Sequence, residues 1–149
     1  MIQHTFAIAA AVGLSLASSL ALAQATPVGL WKTIDDNTKK ERSLIRISDS
    51  GGVLTGRLEK ALDPDAKPDA VCDKCTDERK DKPLIGMAII RNVKQNAEDK
   101  GIWDGGDITD PDNGKTYRLR LKPLDGGKSL EVRGYLGPFY RNQTWIRVE

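Results

Sequence analysis

Two cysteines stand three residues apart in the stretch DAVCDKCTDERKDKP, from Asp69 to Pro83, and they are the only ones in the chain. A C-x-x-C spacing admits a redox-active dithiol, part of a metal site, or a disulfide that closes a loop. A structural zinc site takes four ligands, normally Cys and His. The sole histidine is His4, far away at the N-terminus, so zinc would have to recruit Asp69, Asp73 or Asp77. A redox thiolate needs a helix N-terminus or basic neighbours. Lys74 sits between Cys72 and Cys75, but Asp69, Asp73, Asp77 and Glu78 crowd around them and oppose the thiolate. No strand-then-helix pattern leads into the motif.

A second group of chemically capable side chains is Asp104, Asp107, Asp110 and Asp112. Four carboxylates invite a calcium or glycosidase reading. The run Asp110-Pro111-Asp112-Asn113-Gly114 departs from the calcium loop D-x-[DN]-x-[DN]-G, since Asn and Gly each come one position early and no distal Glu fits. Asp, Pro, Asn and Gly are instead what a tight strand connection requires. Gly105-Gly106 opens no helix and so makes no phosphate cradle. With His4 the only imidazole, the rest of the chain holds no Ser-His-Asp triad, no His general base and no H-E-x-x-H site. We expect no catalytic residues, no metal and no cofactor, hence a protein that is not an enzyme.

The compartment decides what the thiols become. Phe6 to Leu22 is an apolar run rich in Ala and Leu, ending in Ala21-Leu22-Ala23 and Ala23-Gln24-Ala25, both of the A-x-A type. This pattern predicts a signal peptide over residues 1–25, with cleavage after Ala23 or Ala25. No Cys lies near either cleavage site to carry a lipoprotein anchor, and no later stretch is apolar enough to span a bilayer. Residues 26–149 then form one exported domain, periplasmic or secreted. In an oxidising compartment Cys72–Cys75 is read as a disulfide clipping the long connection Leu62–Pro83, with thiol redox activity as an alternative. The 23 basic and 21 acidic residues nearly cancel and no run of five like charges occurs, so the composition points away from nucleic acid and polybasic membrane binding.

The elements that must position these residues read as strands. Gly29–Ile34, Ser43–Ser48, Val53–Ala61, Leu84–Asn92, Ile102–Thr109, Lys115–Lys122, Ser129–Tyr135 and Thr144–Val148 are separated by Gly, Asp, Ser and Asn clusters. Tyr117, Leu119 and Leu121 alternate with Arg118, Arg120 and Lys122, the period of a sheet with one wet face. Short strands at even spacing, with no helical period between them, predict an all-β, single-domain, eight-stranded antiparallel barrel.

Gly29-Leu30-Trp31 resembles the Gly-x-Trp that opens the first strand of lipocalins and other calycins. In those families an Arg near the end of the last strand packs across that Trp at the closed end of the barrel, and the resemblance assigns Arg147 to that place. More widely, GLWKTIDDNTKKERS, CDKC with RKDKPLIGM, GDITDPDNGKTY, EVRGYLG and QTWIR resemble the recurring elements of a family of small exported Gram-negative bacterial proteins with a domain of unknown function. The resemblance implies a lipocalin-like barrel and supplies no catalytic residue. It makes a binding module the first expectation, with a small apolar or amphiphilic ligand held inside and Trp103, Tyr117 and Tyr135 as lining candidates. Glycines on presumed strands (Gly56, Gly86, Gly105, Gly106, Gly134) would leave room for it, or else mark bulges. The rival expectation is a periplasmic protein partner, in the manner of a protease inhibitor, engaged by the 62–83 loop.

Overall fold

The computed structural model describes residues 25–149; the expected leader, residues 1–25, lies outside them except for its final Ala25. Eight strands follow in chain order: β1 (Gly29–Ile34), β2 (Glu41–Ser50), β3 (Val53–Ala61), β4 (Ala88–Gln95), β5 (Trp103–Asp110), β6 (Lys115–Leu124), β7 (Ser129–Leu136) and β8 (Phe139–Arg147). Each pairs antiparallel with the next, and β8 returns to β1, so the sheet closes on itself as an up-and-down barrel. The period of two sets the faces: Leu54, Gly56 and Leu58 of β3 are buried, while Thr55, Arg57 and Glu59 look outward. Among the described residues no helix is long and apolar enough to cross a membrane.

The end that carries both chain termini also carries the β2–β3, β4–β5 and β6–β7 connections. The Asp49 carboxylate accepts the Gly52 amide at 2.7 Å between β2 and β3, and a single 3₁₀ turn, Asp125–Gly127, joins β6 to β7. The opposite end carries the β1–β2, β5–β6 and β7–β8 turns and the long 62–87 connection. Inside, Trp31, Ile45, Ile47, Leu54, Ile90, Leu121 and Leu130 are fully enclosed. Burying such side chains contributes about 1.5–3 kcal/mol each before conformational entropy is counted.

Two strands differ from expectation. The apolar run that begins at Leu84 does not enter the sheet until Ala88. Its first residues turn into the connection, with Leu84 N–H donating to Ala70 O (2.9 Å) and Met87 N–H to Leu84 O (3.0 Å), and Leu84 packs as a plug against the core. The last strand begins at Phe139 rather than Thr144, because the polar stretch Tyr140–Gln143 pairs in register with β7 from Leu136↔Phe139 onward. Its side chains are mostly exposed, so polarity there marks a wet ribbon rather than a loop.

Candidate functional site

The end carrying the termini is shut by a clamp built on Arg147. Its guanidinium lies 4.2 Å from the centre of the Trp31 ring. It donates to Val28 O (2.8 Å), to Thr26 O (2.7 Å) and to Gly127 O. Trp31 Nε1–H donates to Pro27 O at 2.7 Å. None of these partners is a carboxylate, and burial pulls the Arg147 pKa below its ordinary value. The cation is held by carbonyl dipoles and an indole face. Gly29 leaves this contact room, since a Cβ there would run into Arg147 Nη1.

The interior is occupied by side chains. Trp103, Trp31 and Trp145 are all buried among the apolar residues of the core. A Cβ on Gly56 would stand 2.8 Å from the Ile90 Cβ, and one on Gly106 would meet the Arg91 carbonyl. A Cβ on Gly134 would stand 3.3 Å from that of Tyr117. These glycines therefore admit neighbouring chain rather than an empty lumen, and register shifts flank Gly56 and lie between Trp103 and Gly106. Trp103 packs in the core, and Tyr117, half-buried on the inward face near the end opposite the termini, takes a hydrogen bond from Asn113 Nδ2 at 3.0 Å. Tyr135 does not join them. It follows inward Gly134 and so points outward, with the Arg118 guanidinium 5.1 Å from its ring centre and Tyr140 at 5.9 Å.

Cys72 and Cys75 form a disulfide, and both are buried. The clipped loop is seated on the β5–β6 turn: Gly114, at φ +72°, passes so close that a Cβ would collide with Lys74 O. Further along, Arg79 sinks against the outer face of the sheet with a side chain only 7% exposed. Its Nε donates to both Asp77 carboxylate oxygens (3.1 Å each), its Nη2 to Asp77 Oδ2 (2.5 Å) and to Thr109 Oγ1 (2.7 Å), and its Nη1 to Ala88 O (2.8 Å). The guanidinium and the Arg79 amide together hold the Asp77 pKa down to about 2. The carboxylates Asp110 and Asp112 shape the β5–β6 turn, Asp110 accepting the Asp112 amide at 2.9 Å. Among the described residues no cluster of His, Cys, Asp or Glu is arranged to hold a metal ion.

Between this loop and the outer face of β3 and β4 lies a cleft of about 510 Å³. Arg57, Arg79, Lys82 and Arg91 line it beside Ile85 and Met87, and no Asp or Glu does. Arg57 is steadied by Gly86 O at 3.0 Å, and Arg91 by Glu78 at 2.5 Å. Sequence reasoning missed this group. Its members lie as much as 34 positions apart, from 57 to 91, and only the fold of the 62–87 connection brings them around one space.

The comparisons with known proteins follow the same outline. A family model described as "Uncharacterized protein conserved in bacteria (DUF2147)" matches residues 29–147. The fold is similar to that of protein HP1028 from Helicobacter pylori, described as belonging to the lipocalin family, with a TM-score of 0.70, 18% identity and 84% of each chain covered. No curated protein matches the chain.

Proposed function

The chain belongs to this bacterial family, and from that premise we propose that it is an exported, non-enzymatic binding barrel whose ligand is a small anionic amphiphile seated in the outer cleft. A lipocalin-like barrel suits ligand binding in general, and the buried disulfide suits an oxidising, extracytoplasmic compartment. The observation that carries the reading is the lining of the cleft: four cationic side chains and no carboxylate line one space, with Asp77 and Glu78 outside the lining pairing Arg79 and Arg91, so that Arg57 and Lys82 supply its excess positive charge. Arg57 is steadied through Nη1 by Gly86 O, which leaves its other donors to meet an oxyanion, whereas Arg79 has four of its five N–H groups engaged by Asp77, Thr109 and Ala88 and adds a single donor. Ile85 and Met87 beside them offer an apolar wall for a short hydrocarbon tail.

Dodecyl phosphate and dodecyl maltoside, titrated by calorimetry and by amide NMR, test this. The phosphate is expected to bind and to shift the amides of residues 55–57 and 82–92, and the maltoside to bind at least tenfold more weakly. Arg57→Ala with Lys82→Ala removes two exposed charge-assisted donors, each contributing about 1.5–3 kcal/mol when desolvated. Discounted for solvent, this predicts a loss of about tenfold to a hundredfold in affinity. Equal binding of both amphiphiles, or shifts confined to the Trp103 and Trp145 indoles, would overturn the cleft reading. A protein partner is the second reading, because Arg79 and Lys82 belong to the 62–83 loop. Capture of an acidic polypeptide that Lys82→Ala abolishes, with no amphiphile bound, would favour it.

A further inference from the structure

The β7–β8 hairpin ends in a solvent-facing apolar tip. Leu136 is 51% exposed, Phe139 76% and Tyr140 59%, joined through the tight Gly137-Pro138 turn with Gly137 at φ +58°. Leu136 pairs with Phe139 and Tyr135 with Tyr140 across the ribbon. The tip is free of the barrel on both flanks. Pairing of β7 with β6 stops at Arg118↔Tyr135, and β8 meets β1 only at Lys32↔Ile146 and Trp31↔Arg147. Phe139 and Leu136 thus stand beyond the last rung on either side, where burial inside this chain is not on offer.

Cations ring the tip. The Arg133 guanidinium lies 4.3 Å from the Tyr140 ring centre and that of Arg118 5.1 Å from Tyr135. Arg141, 71% exposed, reaches Asp36 only at 3.7 Å. Arg133 also donates to Asn142 Oδ1 at 2.7 Å and lies 3.8 Å from Glu131, the one carboxylate on β7 and β8. An apolar point, two tyrosines at its base and a collar of arginines match the layering of a bilayer surface: acyl chains, the interface favoured by aromatic rings, then anionic head groups. We propose that this hairpin is a membrane anchor, which inserts Leu136 and Phe139 into an anionic lipid surface while Arg118, Arg133 and Arg141 contact the phosphates. The exposed edge of β8 is then occupied by lipid head groups rather than by another strand.

The proposal rests on residues distinct from the cleft and is tested separately from it. The purified protein is sedimented with vesicles of phosphatidylglycerol and phosphatidylcholine, and with phosphatidylcholine alone. Binding is expected to the anionic vesicles, with at least a tenfold weaker partition into the neutral ones and a steep loss with added salt. Leu136→Ser with Phe139→Ser, both at exposed positions, should lower anionic-vesicle binding at least tenfold with an unchanged circular dichroism spectrum, as should Arg133→Gln with Arg141→Gln. Phe139→Trp should bind as the native protein does and show a blue-shifted emission quenched by brominated lipid. Arg57→Ala with Lys82→Ala should leave vesicle binding as it is, so failure of the cleft reading and failure of this one are told apart. No binding to anionic vesicles, equal binding by the Ser variant, or a concentration-dependent dimer that the Ser variant abolishes would overturn the anchor, the last in favour of an interface between copies.

Discussion

Replacing Arg147 by Ala should loosen the closed end more than any other single surface change. The cation–π contact on Trp31, at 4.2 Å from the ring centre, is worth about 0.5–2 kcal/mol. Of the accepting carbonyls, Val28 and Thr26 lie at exposed positions, so water replaces the guanidinium there and each loss is about 0.5 kcal/mol. The side-chain methylenes also shield an indole that is otherwise wholly enclosed, and uncovering part of it adds about 1 kcal/mol. The total is about 3 kcal/mol, or roughly 10 °C in Tm for a domain of this size. Urea titration and calorimetry of Arg147→Ala and Arg147→Met separate the contributions, because Met restores the packing without the charge or the donors. Lys60→Ala, an exposed cation on β3, is the control and should cost under about 0.5 kcal/mol. An Arg147→Ala protein as stable as the Lys60→Ala one would refute the clamp as a stabilising device.

Two further outcomes concern the loop. Removing the disulfide by Cys72→Ala with Cys75→Ala should cost no more than about 2 kcal/mol globally, since so short a closed loop restrains little unfolded chain; the barrel should stay folded while the amides of residues 72–82 exchange faster with solvent, and global unfolding would contradict this. The Asp77 pKa of about 2 lies below its ordinary value of 3.8, so its contribution is complete above about pH 4 and is lost as the pH falls through about 2. Chemical shifts of the Arg79 and Lys80 amides should therefore titrate in that window, and Asp77→Asn should abolish the step; a midpoint near the ordinary carboxylate value would count against the Arg79 pairing.

Legibility followed local physics. Where apolar and polar residues alternate and one face is wet, as in Lys115–Leu124, period and strand coincide, because burial on one side forces the pattern. At Leu84–Met87 the same apolar character seals a loop against the core, and nothing in composition separates a plug from a strand. At Phe139–Gln143 cross-strand pairing to β7 holds a strand together without a buried face, and a burial pattern is silent there. Cys72–Cys75 was readable from spacing and compartment, since its partners are near in sequence. The arginine cleft was not: Arg57 and Arg91 meet across neighbouring strands, and Arg79 and Lys82 arrive through the fold of a connection. Tyr135 shows the finer limit, because the parity of β7 turns it to the outside, and one residue decides that.

The filled interior is the physical ground for placing the proposed binding surfaces outside. Eight strands enclose a space that side chains alone can fill, and three buried tryptophans with Ile90 lying over Gly56 take up much of it. Opening a lumen would require extracting such groups, each stabilised by about 1.5–3 kcal/mol of burial. A ligand that displaced two of them would give up about 3–6 kcal/mol, against the roughly 8 kcal/mol of a micromolar affinity. The outer surface carries no such penalty. The cleft lies on β3 and β4 and the apolar tip on β7 and β8, four strands apart in a ring of eight and thus on opposite sides of the barrel. Around the ring they are separated by four strands, while along the barrel axis the β7–β8 turn and the 62–87 connection that lines the cleft share one end.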